Sequence, residues 1–214
     1  MKGMTNIAKP VPRSVLTRLT HYYATVQSLR SAETEWVSST ELADVLGLTS
    51  STVRQDISHL DFAGVSKRGY ETSGLEAALA SALGADKIWN LVIVGAGNLG
   101  RALALHEEFQ RRGFVIHAVF DDDKAKVGRK VGKLEILAMD GLAAVVRKRA
   151  IDVGVIAVPG PSAQDVADRL VAAGIKGLLN LSSVHIASPD DVAVSDTRII
   201  ASLQELTFAL MAKV

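Results

Sequence analysis

The segment Leu91-Val92-Ile93-Val94-Gly95-Ala96-Gly97-Asn98-Leu99-Gly100 constrains this chain more than any other. An apolar run of the kind a strand buries on both faces leads straight into GxGxxG, and the pattern that follows is helical. The three glycines have separate duties in such a strand-turn-helix unit. Gly95 makes the tight turn, Gly97 lets backbone N–H groups approach a diphosphate, and Gly100 lets the helix pack on the strand. The helix N-terminus adds the positive end of its dipole, so Gly95, Ala96, Gly97, Asn98, Leu99 and Gly100 are the expected dinucleotide-binding residues. A second apolar run, Val115-Ile116-His117-Ala118-Val119-Phe120, ends in Asp121. It lies about twenty residues on, where an acid can bind a ribose 2′-hydroxyl and repel a 2′-phosphate, which favours NAD(H) as the cofactor. Asp122 and Asp123 follow directly, and spacing leaves open which carboxylate touches the ribose. The competing reading is that the glycines only turn a corner and Asp121 caps a loop; the order strand, turn, helix, acid argues against it.

With 214 residues, 48% of them hydrophobic, the chain can bury a substantial core in one or two domains. The formal net charge is +1, but Lys2, Lys9, Arg13, Arg18 and Arg30 all precede the first acid, Glu33. That locally basic start suits a polyanion as readily as a solvated tail. The absence of cysteine excludes disulfides, thiolate metal sites and thiol redox chemistry, so redox sensitivity must come from a ligand, and no metal is expected. The N-terminus lacks the apolar core of a signal peptide, and no apolar run approaches the roughly eighteen residues of a membrane span. A cytoplasmic protein with no membrane partner is expected.

The chain changes character along its length. Short helical patterns up to about residue 75 give way, from about 88 onward, to apolar strands alternating with amphipathic helices. This predicts an α/β protein: an N-terminal winged helix-turn-helix domain with a linker helix (1–84), a Rossmann-like parallel-sheet domain (85–197) and a C-terminal helix (198–214). Ser38-Ser39-Thr40-Glu41 matches the capping box and starts a helix expected to turn Leu42, Val45 and Leu46 inward before Gly47 ends it. A second helix is expected from about Ser50 to Leu60, with Val53, Ile57 and Leu60 as one buried stripe. Ser51, Arg54, Gln55, Ser58 and His59 lie on its other face. Such a pair is a helix-turn-helix arrangement, whose second helix fits the DNA major groove. Gln can pair with adenine, Arg with guanine or phosphate, and Ser with either. Val65-Ser66-Lys67-Arg68-Gly69-Tyr70 reads as a small wing whose Lys67 and Arg68 suit flanking phosphates or the minor groove. With Ser39, the expected DNA-binding residues are Ser51, Arg54, Gln55, Ser58, Lys67 and Arg68. A solvated helix face is the plainer alternative. Asp56 would repel phosphate if exposed, so a bond inside the module is expected for it. The stretch from Thr72 to Gly84 is expected to begin as a loop and continue as a small-residue helix.

Several ordered segments carry a family resemblance. They are Arg18-Leu19 with Tyr22-Tyr23, Ser38-Ser39 with Glu41-Leu42, Val53-Arg54-Gln55-Asp56, Gly95 through Leu103, and Phe120-Asp121 with Gly128. Val158-Pro159 with Ala163-Gln164, and Ala173-Gly174-Ile175-Lys176-Gly177 leading to Leu179-Asn180, complete the set. Together they resemble the Rex-type redox-sensing transcriptional repressors over nearly the whole chain. The resemblance implies a homodimer that represses respiratory or fermentative genes from a palindromic double-stranded operator and is relieved when NADH replaces NAD⁺. It adds Val158 and Pro159 to the cofactor set. It also implies exchange of the C-terminal helix between subunits, where Ile199, Leu203, Leu206 and Leu210 form an apolar stripe. On spacing alone that stripe equally suits the chain's own sheet.

The chain departs from the family at three places. Where a typical member has an Arg after the paired aromatics, a Tyr after the glycine turn and an Asp opening the last helix, this chain has Ala24, His106 and Arg198. His106 is a substitute polar contact, with pH-dependent sensing as its consequence, or a surface residue without a role. Two other readings stay open. One is a small NAD-dependent dehydrogenase, for which His185 is the candidate proton donor, although a structural role suits it better. The other is a Rex-like regulator with an altered or lost NADH response.

Overall fold

The computed structural model describes residues 11–212, so Lys2 and Lys9 of the basic start lie outside the described residues. The chain divides into two compact units, Met1–Lys87 and Ile88–Val214.

In the first unit, helix α1 (Arg13–Ser31) turns Val15, Leu19, Tyr22 and Val26 into the core at helical spacing. Strand β1 (Trp36–Val37) leads into α2 (Ser39–Leu46), where Ser38 and Glu41 form the reciprocal capping box and Gly47 closes the helix in the left-handed conformation. Helix α3 (Ser50–Ile57) follows, capped by the Thr49 hydroxyl. Strand β2 (Tyr70–Glu71) pairs antiparallel with β1, and α4 (Thr72–Leu83) buries Leu75 and Leu79 in the same core as α1.

Three local expectations are corrected. Val45 is 67% exposed, because Leu42, Ala43 and Leu46 form the inward face of α2 and Val45 lies roughly a quarter turn away. Helix α3 stops at Ile57, where His59 N–H bonds the Asp56 carbonyl and Leu60 N–H the Ile57 carbonyl, so the last turn tightens; Leu60 is still buried. Residue 72 begins a helix, with no loop before it, because the Glu71 carboxylate accepts the Gly74 N–H at 3.0 Å and the Thr72 hydroxyl donates to the Thr34 carbonyl at 2.6 Å.

Asp56 lies inside the module as expected. Its carboxylate, 2% exposed, accepts Arg18 Nε at 2.6 Å and Nη2 at 2.8 Å, and the Tyr22 hydroxyl at 2.8 Å. Burial alone would raise its pKa, but the Arg18 and Tyr22 bonds outweigh that and hold it below the usual carboxylate range.

The second unit is a seven-stranded sheet in the order β5-β6-β4-β3-β7-β8-β9. Its strands are β3 (Trp89–Val94), β4 (Phe114–Asp121), β5 (Lys130–Val131), β6 (Leu134–Ala138), β7 (Val153–Ile156), β8 (Gly177–Asn180) and β9 (Ala193–Asp196). All pairings are parallel except β5 with β6 at one edge. Without β5, the order is that of the doubly wound dinucleotide fold, with its switch point between β3 and β7. Val92 and Val94 pack on one face with Phe120 and Leu170, while Leu91 and Ile93 pack on the other with Val119 and Ile136. Burial on both faces explains why β3 reads as an unbroken apolar run. The helices are α5 (Asn98–Leu105), α6 (Glu107–Arg111), α7 (Leu142–Arg149), α8 (Gly160–Ala172) and α9 (Ile199–Met211).

Asp56→Ala leaves the Arg18 charge without its partner and should lower stability by about 3–5 kcal/mol in urea unfolding. The folded pKa of Asp56 lies below its unfolded value of about 3.9, so its stabilisation is complete above that pH and is lost as pH falls through the folded pKa. Asp56→Asn should therefore flatten the acid limb of a stability-against-pH curve.

Candidate functional site

The glycine turn leaves the carboxyl end of β3 and enters α5. A Cβ on Gly95, whose φ is +108°, would run into the Ala157 carbonyl oxygen, and one on Gly100 into the Gly95 carbonyl oxygen. Protein packing therefore requires both. Gly97 differs: its φ is −77°, and a Cβ there would meet nothing within 4 Å. The turn keeps an open approach to its backbone at the one glycine the protein does not need. Gly97, Asn98 and Leu99 are exposed, and no side chain caps α5. Helix α8 likewise starts at Gly160 without a side-chain cap from Pro159 before it, shortly after β7, the strand beside β3. Val158 packs at Gly95. The two uncapped helix starts and the glycine turn thus meet at the switch point, a backbone cradle fit for a diphosphate.

Asp121 closes the far side of the turn. One carboxylate oxygen accepts the Ala96 N–H at 2.7 Å and Lys126 Nζ at 3.1 Å, and the other accepts the Asp123 N–H at 2.9 Å. Burial would raise its pKa, but the Asp123 and Ala96 amides and then Lys126 hold it below the carboxylate range. Asp122 points to Arg169 at 3.4 Å, and Asp123 caps the Ala125 N–H at 2.9 Å. Of the three acids, Asp121 is the one tied to the glycine turn. Lys126 carried no signal in the sequence, because its role depends on the loop folding back.

In the first unit a groove of about 610 Å³ separates α3 from the wing. Ser39, Arg54, Ser58, Lys67 and Arg68 line it, whereas Ser51 and Gln55 lie exposed on α3 outside it. Arg54 Nη1 donates to Ser39 Oγ at 3.0 Å, which orients the guanidinium across the helix pair. The Ser58 hydroxyl donates to the Gln55 carbonyl at 2.6 Å, and the Ser51 and Thr49 hydroxyls lie 2.9 Å apart. Trp36 was not singled out in the sequence, yet the Arg68 guanidinium carbon lies 3.9 Å from its ring centroid.

The three departures have distinct surroundings. Ala24 is exposed on α1, and Arg198 is the exposed N-cap of α9. His106 links two helices, ending α5 and capping α6 by accepting the Glu108 N–H at 3.3 Å, with its ring edge-on to Phe109. That is a local structural role. His185 is also engaged, its Nδ1 lying 2.9 Å from Asp196, whose other oxygen accepts Asn180 Nδ2 at 2.7 Å. Helix α9 buries no residue in its own chain: Ile199, Leu203, Leu206 and Leu210 are 66%, 52%, 56% and 59% exposed. Among the described residues no cluster of three or more His, Asp or Glu could hold a metal ion, and no helix is long and apolar enough to cross a membrane.

A winged helix-turn-helix unit and a Rossmann-like unit with a diphosphate turn define a class: transcriptional regulators that carry a nucleotide-type ligand domain. Residues 10–58 match the family described as "Putative DNA-binding protein N-terminus", and residues 86–184 match the CoA binding domain family. The redox-sensing transcriptional repressor Rex of Carboxydothermus hydrogenoformans is 40% identical over 198 residues, covering 92% of this chain and 95% of its own. The chain belongs to the Rex family of redox-sensing transcriptional repressors. The crystal structure of RSP, a Rex-family repressor, in complex with β-NAD⁺ and operator DNA superposes with a TM-score of 0.91 at 32% identity, covering 96% of this chain and 94% of that one. RSP in complex with β-NADH gives 0.87 at 33% identity, covering 96% of each.

Gly95→Ala should destabilise the second unit by about 2–6 kcal/mol, overpacking and backbone strain costing roughly 1–3 kcal/mol each. Gly97→Ala should stay within about 0.5 kcal/mol of the unaltered chain in the same unfolding experiment.

Proposed function

We propose that this protein is a homodimeric repressor that binds a palindromic operator through its first unit and reads NAD(H) through its second. What carries the reading is one chain holding both a basic helix-turn-helix groove and a glycine turn whose middle glycine no protein contact requires. Gly95 through Gly100, Asp121, Val158 and Pro159 form the cofactor set, with Asp121 as the ribose contact. CoA and NAD(H) share an adenosine joined to a diphosphate, the part such a turn holds. Ser39, Arg54, Ser58, Lys67 and Arg68 meet DNA from the groove, and Ser51 and Gln55 from the exposed helix face. The segments 1–84, 85–197 and 198–214 divide these tasks as DNA binding, cofactor binding and dimerisation. The bare apolar stripe of α9 supports exchange onto a second copy, since a helix this apolar is stable only when covered. A dimer must set its recognition helices roughly 34–36 Å apart, or a multiple, to read a palindrome.

When bound, NAD(H) supplies a nicotinamide ring whose charge differs between its oxidised and reduced forms. The chain's task is to bind DNA differently in the two cases, and such couplings are typically about 1–3 kcal/mol. Ala24 and Arg198 cannot form the typical family cluster, and His106 is engaged as a helix cap, which supports a coupling carried by other residues. This is binding without catalysis, in the cytoplasm where operator DNA lies. His185 keeps the dehydrogenase reading weak, because a side chain paired to the strand end at Asp196 has a structural explanation.

NADH titrated into a complex with a palindromic duplex should change its gel mobility; no effect at any concentration overturns the sensor and leaves the repressor. Gly97→Ala should weaken NADH by about tenfold or more in calorimetry while the fold stays intact, whereas Arg54→Ala should weaken the duplex by about 1–3 kcal/mol and spare NADH. Leu206→Glu on α9 should shift the dimer to monomer in sedimentation.

A further inference from the structure

The wing presents its basic residues from a very small platform. Val65 N–H bonds the Gly69 carbonyl at 2.7 Å and Gly69 N–H returns to the Val65 carbonyl at 2.9 Å, with Lys67 in the left-handed conformation between them. A loop this short cannot hold long side chains in place by itself. Arg68 is held by something else: its guanidinium carbon sits 3.9 Å from the Trp36 ring centroid, and Nη2 lies 3.8 Å from Glu35. Trp36 belongs to β1, which pairs with β2 immediately after the wing.

Trp36 carries a mark of this use. Its Nε1 is buried and has no hydrogen-bond partner among the described residues. An unpartnered indole N–H costs free energy that a Phe would not incur. The indole also offers the strongest cation-attracting face of the aromatic side chains. A guanidinium lying over a ring keeps its N–H edge free to donate in its own plane, the direction from which it meets phosphate or a base edge.

We propose that Trp36 is a positioning residue for DNA binding: its ring fixes Arg68 of the wing so that the guanidinium edge is presented to the duplex without a search among rotamers. This rests on the DNA-binding reading above. Arg68 contacts the duplex, Trp36 acts only through Arg68, and Glu35 adds a weak, solvent-screened second restraint.

The test is a double-mutant cycle on the full-length protein, using a fluorescein-labelled palindromic duplex selected in vitro with the unaltered protein. Trp36→Leu should weaken binding about two- to fivefold, the range for an exposed stack. Trp36→Phe, which keeps a ring and removes the buried donor, should keep the fold and recover part of that affinity. In an Arg68→Ala background Trp36→Leu should have no further effect. Arg68→Ala should lower the salt slope by about one phosphate contact, while Trp36→Leu, which keeps the charge, should leave the slope unchanged. Equal loss with and without Arg68, or no loss from Trp36→Leu, overturns the positioning role while DNA binding stands. If selection recovers no duplex, the DNA-binding reading falls and this role falls with it.

Discussion

The second unit depends on one steric constraint, the contact between the backbone of the glycine turn and its own neighbours. Gly95 lies against the Ala157 carbonyl, and the first turn of α5 lies against the Gly95 carbonyl at Gly100, so no side chain fits at either place. This draws the start of α5 onto β3 and brings the β7 loop alongside. The Ala96 N–H then faces the end of β4, where Asp121 receives it and is held ionised by that bond, the Asp123 amide and Lys126. Everything a diphosphate would meet follows from this closure. Two helix starts are left uncapped, and one glycine is kept open where the protein has no use for the space.

The first unit is arranged around a different necessity, keeping an acid out of the cationic face of α3. Helix α3 carries Asp56 only two residues after Arg54. The helical turn places the carboxylate in the core, where Arg18 and Tyr22 of α1 neutralise and orient it, while Arg54 faces out and is steadied by Ser39. One interaction thus ties α1 to α3 and leaves a groove whose lining includes Arg54, Lys67 and Arg68 and no acid. The wing follows the same economy, with Arg68 supported from beneath by Trp36.

Much of this was legible in the sequence because the determining interactions are short in range. The capping box at Ser38 and Glu41, the closing glycines at 47 and 84, and the turn at Gly95 through Gly100 express themselves within a few residues. The burial of Asp56 followed from charge logic alone. Less legible were the features set by distant partners. Val45 reads as apolar and inward, yet the inner face of an eight-residue helix is filled by Leu42, Ala43 and Leu46. His106 invited a functional reading, but as the junction of two short helices it is used as a cap.

By itself, then, the sequence determined the element types, the glycine turn, the polar face of α3 and the family, because hydrophobic period and turn chemistry are local properties of the chain. Tertiary structure alone decided which acid joins the turn, which residues converge on the groove, and that Trp36 lies beneath Arg68. Each of these needs strands or loops many residues apart in the chain to come into register, and no local pattern records that. The opening feature illustrates the division: GxGxxG already gave the turn to Gly95, the helix packing to Gly100 and the ligand's approach to Gly97. The folded chain supplied the atoms behind it, the Ala157 and Gly95 carbonyls that exclude a Cβ at Gly95 and Gly100, and the open space within 4 Å of Gly97.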